Sequence, residues 1–66
     1  MQNKLKIERA IKNLTQDELA NLIGVSRQTI NSIEKSRYVP STILALKMSE
    51  VFGKSVNDLF LLDEND

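Results

Sequence analysis

The stretch Leu14–Ser36, LTQDELANLIGVSRQTINSIEKS, decides the fold. Thr15 and Glu18 form a T-x-x-E capping box, in which each side chain satisfies an orphan backbone N–H of a first helical turn. Leu14 stands before that cap and Leu19 after it, at the spacing of a hydrophobic staple. Leu19, Ala20, Leu22 and Ile23 then share one apolar face at helical spacing. Gly24 follows where a left-handed residue ends the helix, a conformation Gly adopts without strain. Ser26 restarts the pattern as a second N-cap, with Val25 and Ile30 placed for a second staple. Only Gly24 and Val25 separate the first helix from the second cap. So short a connection excludes an antiparallel hairpin and predicts a sharp helix-turn-helix crossing.

On a helical wheel, Ile30 and Ile33 of the second helix face the first helix. Gln28, Asn31, Ser32 and Lys35 face away, with Arg27 at the edge and Glu34 to the side. Gln and Asn can pair in bidentate fashion with adenine, Arg with guanine, and a short hydroxyl fits close to either base type. The same composition also suits a face that is simply solvated. The capped glycine turn and the early placement of Arg27 and Gln28 favour contact, because a recognition helix meets base edges by its N-terminal residues.

The stretch LTQDELANLIGVSRQTINSIEKSRYVPS resembles the helix-turn-helix core of the phage-repressor (Cro/cI-like, XRE) family of transcription regulators. The residues that carry the likeness are Thr15-Gln16, Glu18-Leu19-Ala20, Gly24-Val25-Ser26, Ile30, Ile33-Glu34 and Pro40. SRQTINSIEKSRYVPS followed by ALKMSEVFG is most similar to the short cytolysin-repressor-like subgroup, which has no sensor domain. The resemblance runs from about Leu5 to Phe60. It implies base reading by Arg27, Gln28, Asn31 and Ser32. Gln16 matches a residue that bonds a DNA phosphate and braces the recognition helix. Thr29 packs toward the turn, with its methyl in reach of a thymine. Lys35, Arg37 and Tyr38 match a loop that rests on the DNA backbone. Glu34 matches a structural acid that holds the following loop. The resemblance also implies a strand at Met1–Asn3, paired with the C-terminal tail.

Sixty-six residues allow one domain, with the motif at about 15–36 and a dimerisation tail at 59–66. So small a core leaves a stability of only a few kcal/mol, and a second copy is an available source of more. There is no cysteine and no histidine. That removes disulfides, the commonest metal ligands and the commonest acid–base group, so no metal and no cofactor are expected. Formal net charge is zero, which argues mildly against nucleic acid. Its distribution answers that point: residues 1–38 carry seven bases against four acids, a balance of +3, and residues 39–66 carry two bases against five acids, a balance of −3. With few phosphates to neutralise, non-specific affinity would be weak and binding would depend on base contacts and paired half-sites.

Outward from the motif, Leu5–Lys12 reads as a first helix. Leu5, Ile7, Ala10, Ile11 and Leu14 form its apolar stripe, and Lys4, Lys6, Arg9 and Lys12 lie outside. Those bases are either ordinary solvated charge or, at Arg9 or Lys12, phosphate contacts. Asn13 ends this helix in the left-handed position. Val39 is pushed to extended backbone by Pro40. Ser41 caps a fourth helix, Thr42 to about Phe52, whose Ile43, Leu44, Leu46, Met48, Val51 and Phe52 read as mostly core, and Gly53 stops it. Ser55 opens a last helix, with Asp58 as a weaker capping box. The run Leu59-Phe60-Leu61-Leu62 outlasts the helix. It either covers the open end of the core or, through Phe60, Leu61 and Leu62, forms a self-association surface, with Leu61 and Leu62 in a strand beside the N-terminus. Asp63–Asp66 reads as a solvated acidic tail.

The expected fold is all-α: a compact five-helix bundle with a central helix-turn-helix and a small sheet from the two termini. The expected function is a sequence-specific regulator of double-stranded DNA, a repressor acting as a homodimer on an inverted repeat through the helix 26–36. Enzyme chemistry is not expected, since the serines serve as caps and no phosphate-binding glycine pattern appears. No pocket argues for a small-molecule effector, and no long apolar run argues for a membrane, so a cytoplasmic location is expected. A protein-interaction module, or the DNA-binding partner of a toxin that docks on Leu59–Asp66, are the other classes open to such a chain.

Overall fold

A computed structural model describes residues Met1–Asp66. Strand β1 (Gln2–Asn3) leads into α1 (Leu5–Lys12), α2 (Gln16–Ile23), α3 (Arg27–Glu34), α4 (Thr42–Phe52), the single-turn α5 (Val56–Leu59) and β2 (Phe60–Leu61). The two strands pair antiparallel, Gln2 opposite Leu61 and Asn3 opposite Phe60. The tail strand therefore begins one residue earlier than the sequence suggests, and Leu62 lies outside it.

Helices α2 to α5 begin where their caps predict, and α1 starts after Lys4 without a side-chain cap. Thr15 Oγ1 accepts from the Glu18 N–H and Glu18 Oε1 accepts from the Thr15 N–H, both at 3.0 Å, which completes the capping box. Ser26, Ser41 and Ser55 each accept from the backbone N–H three residues on. Asp58 gives Ser55 no return bond, so the box at α5 is only half formed. Asn13, Gly24 and Gly53 all take left-handed backbone at the helix ends. The helix expected over 26–36 closes earlier, at Glu34. Ser36 itself adopts φ 60°, its N–H reaching the Ile33 carbonyl and the Arg37 N–H reaching the Ser32 carbonyl, each at 2.9 Å. This is a Schellman closure with a non-glycine residue at its left-handed position.

The core is one cluster of ten buried residues, with Leu19, Ala20 and Ile23 of α2 and Ile30 and Ile33 of α3 at its centre. Leu5, Met48, Phe52, Leu59 and Phe60 close it from the other elements. Leu14 and Val25 pack against its edge, as their staple positions require.

The first helix corrects the wheel reading. Ile7 and Ile11 are 59% and 68% exposed and Ala10 is exposed, whereas Glu8 is buried. The inward face of α1 carries charges because each has an internal partner: Lys54 Nζ donates to Glu8 at 3.0 Å, and Arg9 pairs with Glu34. The rotation of this helix thus places its paired charges inward and leaves its isoleucines outside. On α2, Leu22 is exposed, and on α4 Ile43 and Leu46 are exposed, not core.

Two outcomes follow for stability. Leu19→Ala, which empties a fully buried site, is expected to cost about 2–5 kcal/mol, read by thermal and urea unfolding. Glu18 titrates below its ordinary 4.5, chiefly because the Thr15 backbone N–H bonds its carboxylate. A folded-state pKa lowered in this way contributes stability that is whole above pH 4.5 and is lost as pH falls through the folded value. Glu18→Gln should therefore flatten the stability–pH profile below that pH, measured as the urea midpoint across an acid series.

Candidate nucleic-acid interface

The α2–α3 crossing turns Ile30 and Ile33 into the core and leaves the opposite face of α3 to solvent. Arg27, Gln28, Asn31 and Ser32, together with Gln16 from the start of α2, line one shallow hollow that contains no hydrophobic residue. Gln28, Thr29, Ser32, Arg37 and Tyr38 line a second. The hollows share Gln28 and Ser32, so they form one polar surface along the helix. Every candidate base-reading and backbone residue lies on that surface except Lys35, which caps the C-terminal end of α3 and is exposed. Arg27, Lys35 and Arg37 belong to none of the chain's ion pairs, which leaves their charge available to an external anion.

The surface is held from behind by Glu34. Its side chain is 6% exposed and meets Arg9 Nε at 2.6 Å. Arg9 Nη2 adds a second bond to Glu34 at 3.1 Å, giving the bidentate fork that fixes a guanidinium on a carboxylate. Arg9 Nη1 donates to the Leu14 carbonyl at 2.9 Å. Gln16 Nε2 also donates to Glu34, at 3.1 Å. The carboxylate thus ties α1 and α2 to the end of α3. Its hydrogen bond raises the Arg9 pKa further above the usual arginine range.

This geometry corrects two expectations. Arg9 is not a phosphate contact or a solvated base, because its guanidinium is turned inward and used on Glu34. Glu34 holds α1 and α2, not the loop that follows it. Gln16 supplies the bracing half of the role its resemblance implies, through that same carboxylate. Thr29 lies toward the turn, its hydroxyl 3.0 Å from that of Ser26.

A second, apolar surface is built largely from α4 and the two termini. Val39, Pro40, Ala45 and Leu46 form a hollow with Met1, Val56 and Phe60, and a neighbouring one adds Leu61 and Leu62. Leu62 is 81% exposed, whereas Phe60 is 8% exposed and forms part of the floor. Val39, Pro40 and Leu46 extend this apolar region beyond the tail named from the sequence. The signal was present in α4: apolar residues occur all round it, as in a helix covered on more than one side.

A capped, glycine-linked helix pair with a free polar face on its second helix defines the helix-turn-helix class of DNA-binding proteins. Residues 5–59 match the Helix-turn-helix (HTH_3, XRE-type) family, and the chain belongs to that family of DNA-binding transcription regulators, not to an enzyme family. It is 50% identical over its whole length to an HTH-type transcriptional regulator of Methanocaldococcus jannaschii, itself covered completely. It is 44% identical to the HTH-type regulator YgzD of Bacillus subtilis, both chains covered completely. The ImmF control region 10 kDa protein of Bacillus phage phi105 is 34% identical over 55 residues, which are 83% of this chain and 61% of that protein. Among solved structures, the clp gene regulator ClgR of Corynebacterium glutamicum superposes with a TM-score of 0.75 at 33% identity. That match covers 82% of this chain and 57% of the ClgR chain.

Removing one member of the buried pair should show how the site is held. Arg9→Met leaves the Glu34 charge enclosed and unpaired, with an expected loss of about 3–5 kcal/mol. Arg9→Met combined with Glu34→Leu should recover much of that loss in urea unfolding, because no orphan charge remains.

Proposed function

We propose that this protein is a sequence-specific repressor that binds an inverted-repeat operator as a homodimer in the cytoplasm. The observation that carries the reading is the α3 surface: Arg27, Gln28, Asn31 and Ser32 point out together at and beyond the N-terminal turn of a helix fixed by Glu34. With α3 in the major groove, these four read base edges. Gln16, Thr29, Lys35, Arg37 and Tyr38 flank them and position the domain on the phosphates.

Two copies are needed because one is too small. The longest dimension of the chain is 31 Å, and successive major grooves on one face lie roughly 34 Å apart. A single domain therefore presents α3 to one half-site. The apolar region around Phe60, Leu61 and Leu62, extended by Val39 and Leu46, is the surface through which the copies meet. Its lining shares no residue with the α3 hollows, although Val39 follows Tyr38 directly in the same loop. Occupation of the operator would then exclude polymerase. No small-molecule effector enters this scheme.

The test is a footprint and titration on DNA upstream of the gene, at two salt concentrations, with scrambled DNA as competitor. A protected inverted repeat that survives competition supports the reading; protection lost equally to scrambled DNA would overturn it. Arg27→Ala or Gln28→Ala should cost about 1–3 kcal/mol and relax preference at one base position, whereas Lys35→Ala should weaken all sequences alike and reduce the salt slope by about one. Leu62→Glu should shift the protein to monomer in sedimentation and weaken operator binding, with the fold retained.

A further inference from the structure

Asn3 lines neither surface, yet its side chain links the terminal sheet to the end of α3. It lies in β1 opposite Phe60 of the tail strand. Its amide Nδ2 donates to the Ile33 carbonyl of α3 at 2.8 Å, and its Oδ1 accepts from the Leu5 N–H at 3.3 Å. The last carbonyls of a helix lack intrahelical partners and need donors from elsewhere. Here the Ile33 carbonyl receives two, Asn3 and the Ser36 N–H. The second of these is one bond of the Schellman closure that turns the chain into the Arg37–Tyr38 loop. That closure carries a serine in left-handed backbone, a conformation disfavoured for residues with a Cβ. The turn therefore depends on support from outside the helix.

We propose that Asn3 is a positioning residue of the DNA-binding surface, whose amide clamps the C-terminal end of α3 and so sets the Arg37–Tyr38 loop from the terminal sheet. Glu34 holds the same helix end from α1 and α2, and Asn3 holds it from β1. Because β1 is paired with the tail strand, one side chain joins the self-association region to the loop that meets the phosphates. The DNA half of this inference rests on the function proposed above; the clamp itself does not.

Asn3→Asp is the informative variant. It keeps an oxygen for the Leu5 N–H and removes the donor to Ile33, so a residue that merely starts α1 would tolerate it. Amide hydrogen exchange is measured on the free protein for wild type, Asn3→Asp and Asn3→Ala. Exchange at Ser36 and Arg37 should be about tenfold faster in both variants, the size expected for a lost hydrogen bond at a partly buried carbonyl. Ile30 and Met48 should be unchanged. Asn3→Asp behaving as wild type, or equal acceleration at Ile30 and Met48, would overturn the clamp.

Affinity for the protected DNA is then measured in a cycle with Arg37→Ala, at a temperature where all variants are folded. Asn3→Asp should weaken binding several-fold alone and have little effect once Arg37 is gone, since coupled residues are non-additive. Fully additive losses would overturn the positioning role and leave only general destabilisation. If wild type protects no DNA, the proposed function fails and the exchange arm alone decides whether Asn3 is a clamp.

Discussion

The enclosed carboxylate of Glu34 is the constraint on which the arrangement of the helices depends. It stands on the last residue of α3 and receives the fork of Arg9 and the amide of Gln16. A buried charge without partners is costly, so the helices must meet in the orientation that supplies them. Apolar contacts between α2 and α3 provide the drive to associate but tolerate sliding and rotation. A charged pair in fixed geometry does not. In this chain the pair therefore specifies placement more than it adds stability, and the placed element is the helix with the free polar face.

The same preference explains why α1 lies as it does. Glu8 and Arg9 turn inward to Lys54 and Glu34, and Ile7 and Ile11 remain in solvent. In this rotation each enclosed acid has a basic partner elsewhere in the chain, so neither is left as an unpaired buried charge. α4 shows the complementary case. Its inner side completes the core through Met48 and Phe52, and its outer side adds Leu46 to the apolar hollow beside Phe60 and leaves Ile43 exposed. One helix can hold the domain together and also leave an apolar surface outside because its apolar residues are not confined to one stripe.

Zero net charge is compatible with a DNA-binding family once the charges are located. Arg9 and Lys54 are neutralised internally, and Arg27, Lys35 and Arg37 are left free near the α3 face. The acids of the last residues lie in the tail, where Asp63 and Asp66 meet the Met1 amino group at 3.0 and 3.1 Å. With few free cations, the electrostatic contribution to DNA affinity would be small, and in the function proposed above discrimination falls to the polar side chains of α3.

Local chemistry was legible in the sequence by itself. Thr15, Ser26, Ser41 and Ser55 mark helix starts, Asn13, Gly24 and Gly53 mark helix ends, and the short link after Gly24 implies the crossing of α2 and α3. These are interactions between residues within about one turn of each other, so spacing alone determines them. The polar face of α3 was legible for the same reason, once Ile30 and Ile33 were assigned to the core. Only the tertiary structure decided what depends on distant partners: Arg9 turned to Glu34, Glu8 to Lys54, Asn3 to the Ile33 carbonyl, and Ile43 and Leu46 outside the core. Each of these pairs residues more than twenty positions apart, or follows from how α4 meets the rest of the chain. A helical wheel ranks residues by hydrophobicity and cannot register a charge whose partner lies on another helix, which is why the rotation of α1 and the anchoring of α3 emerged only in three dimensions.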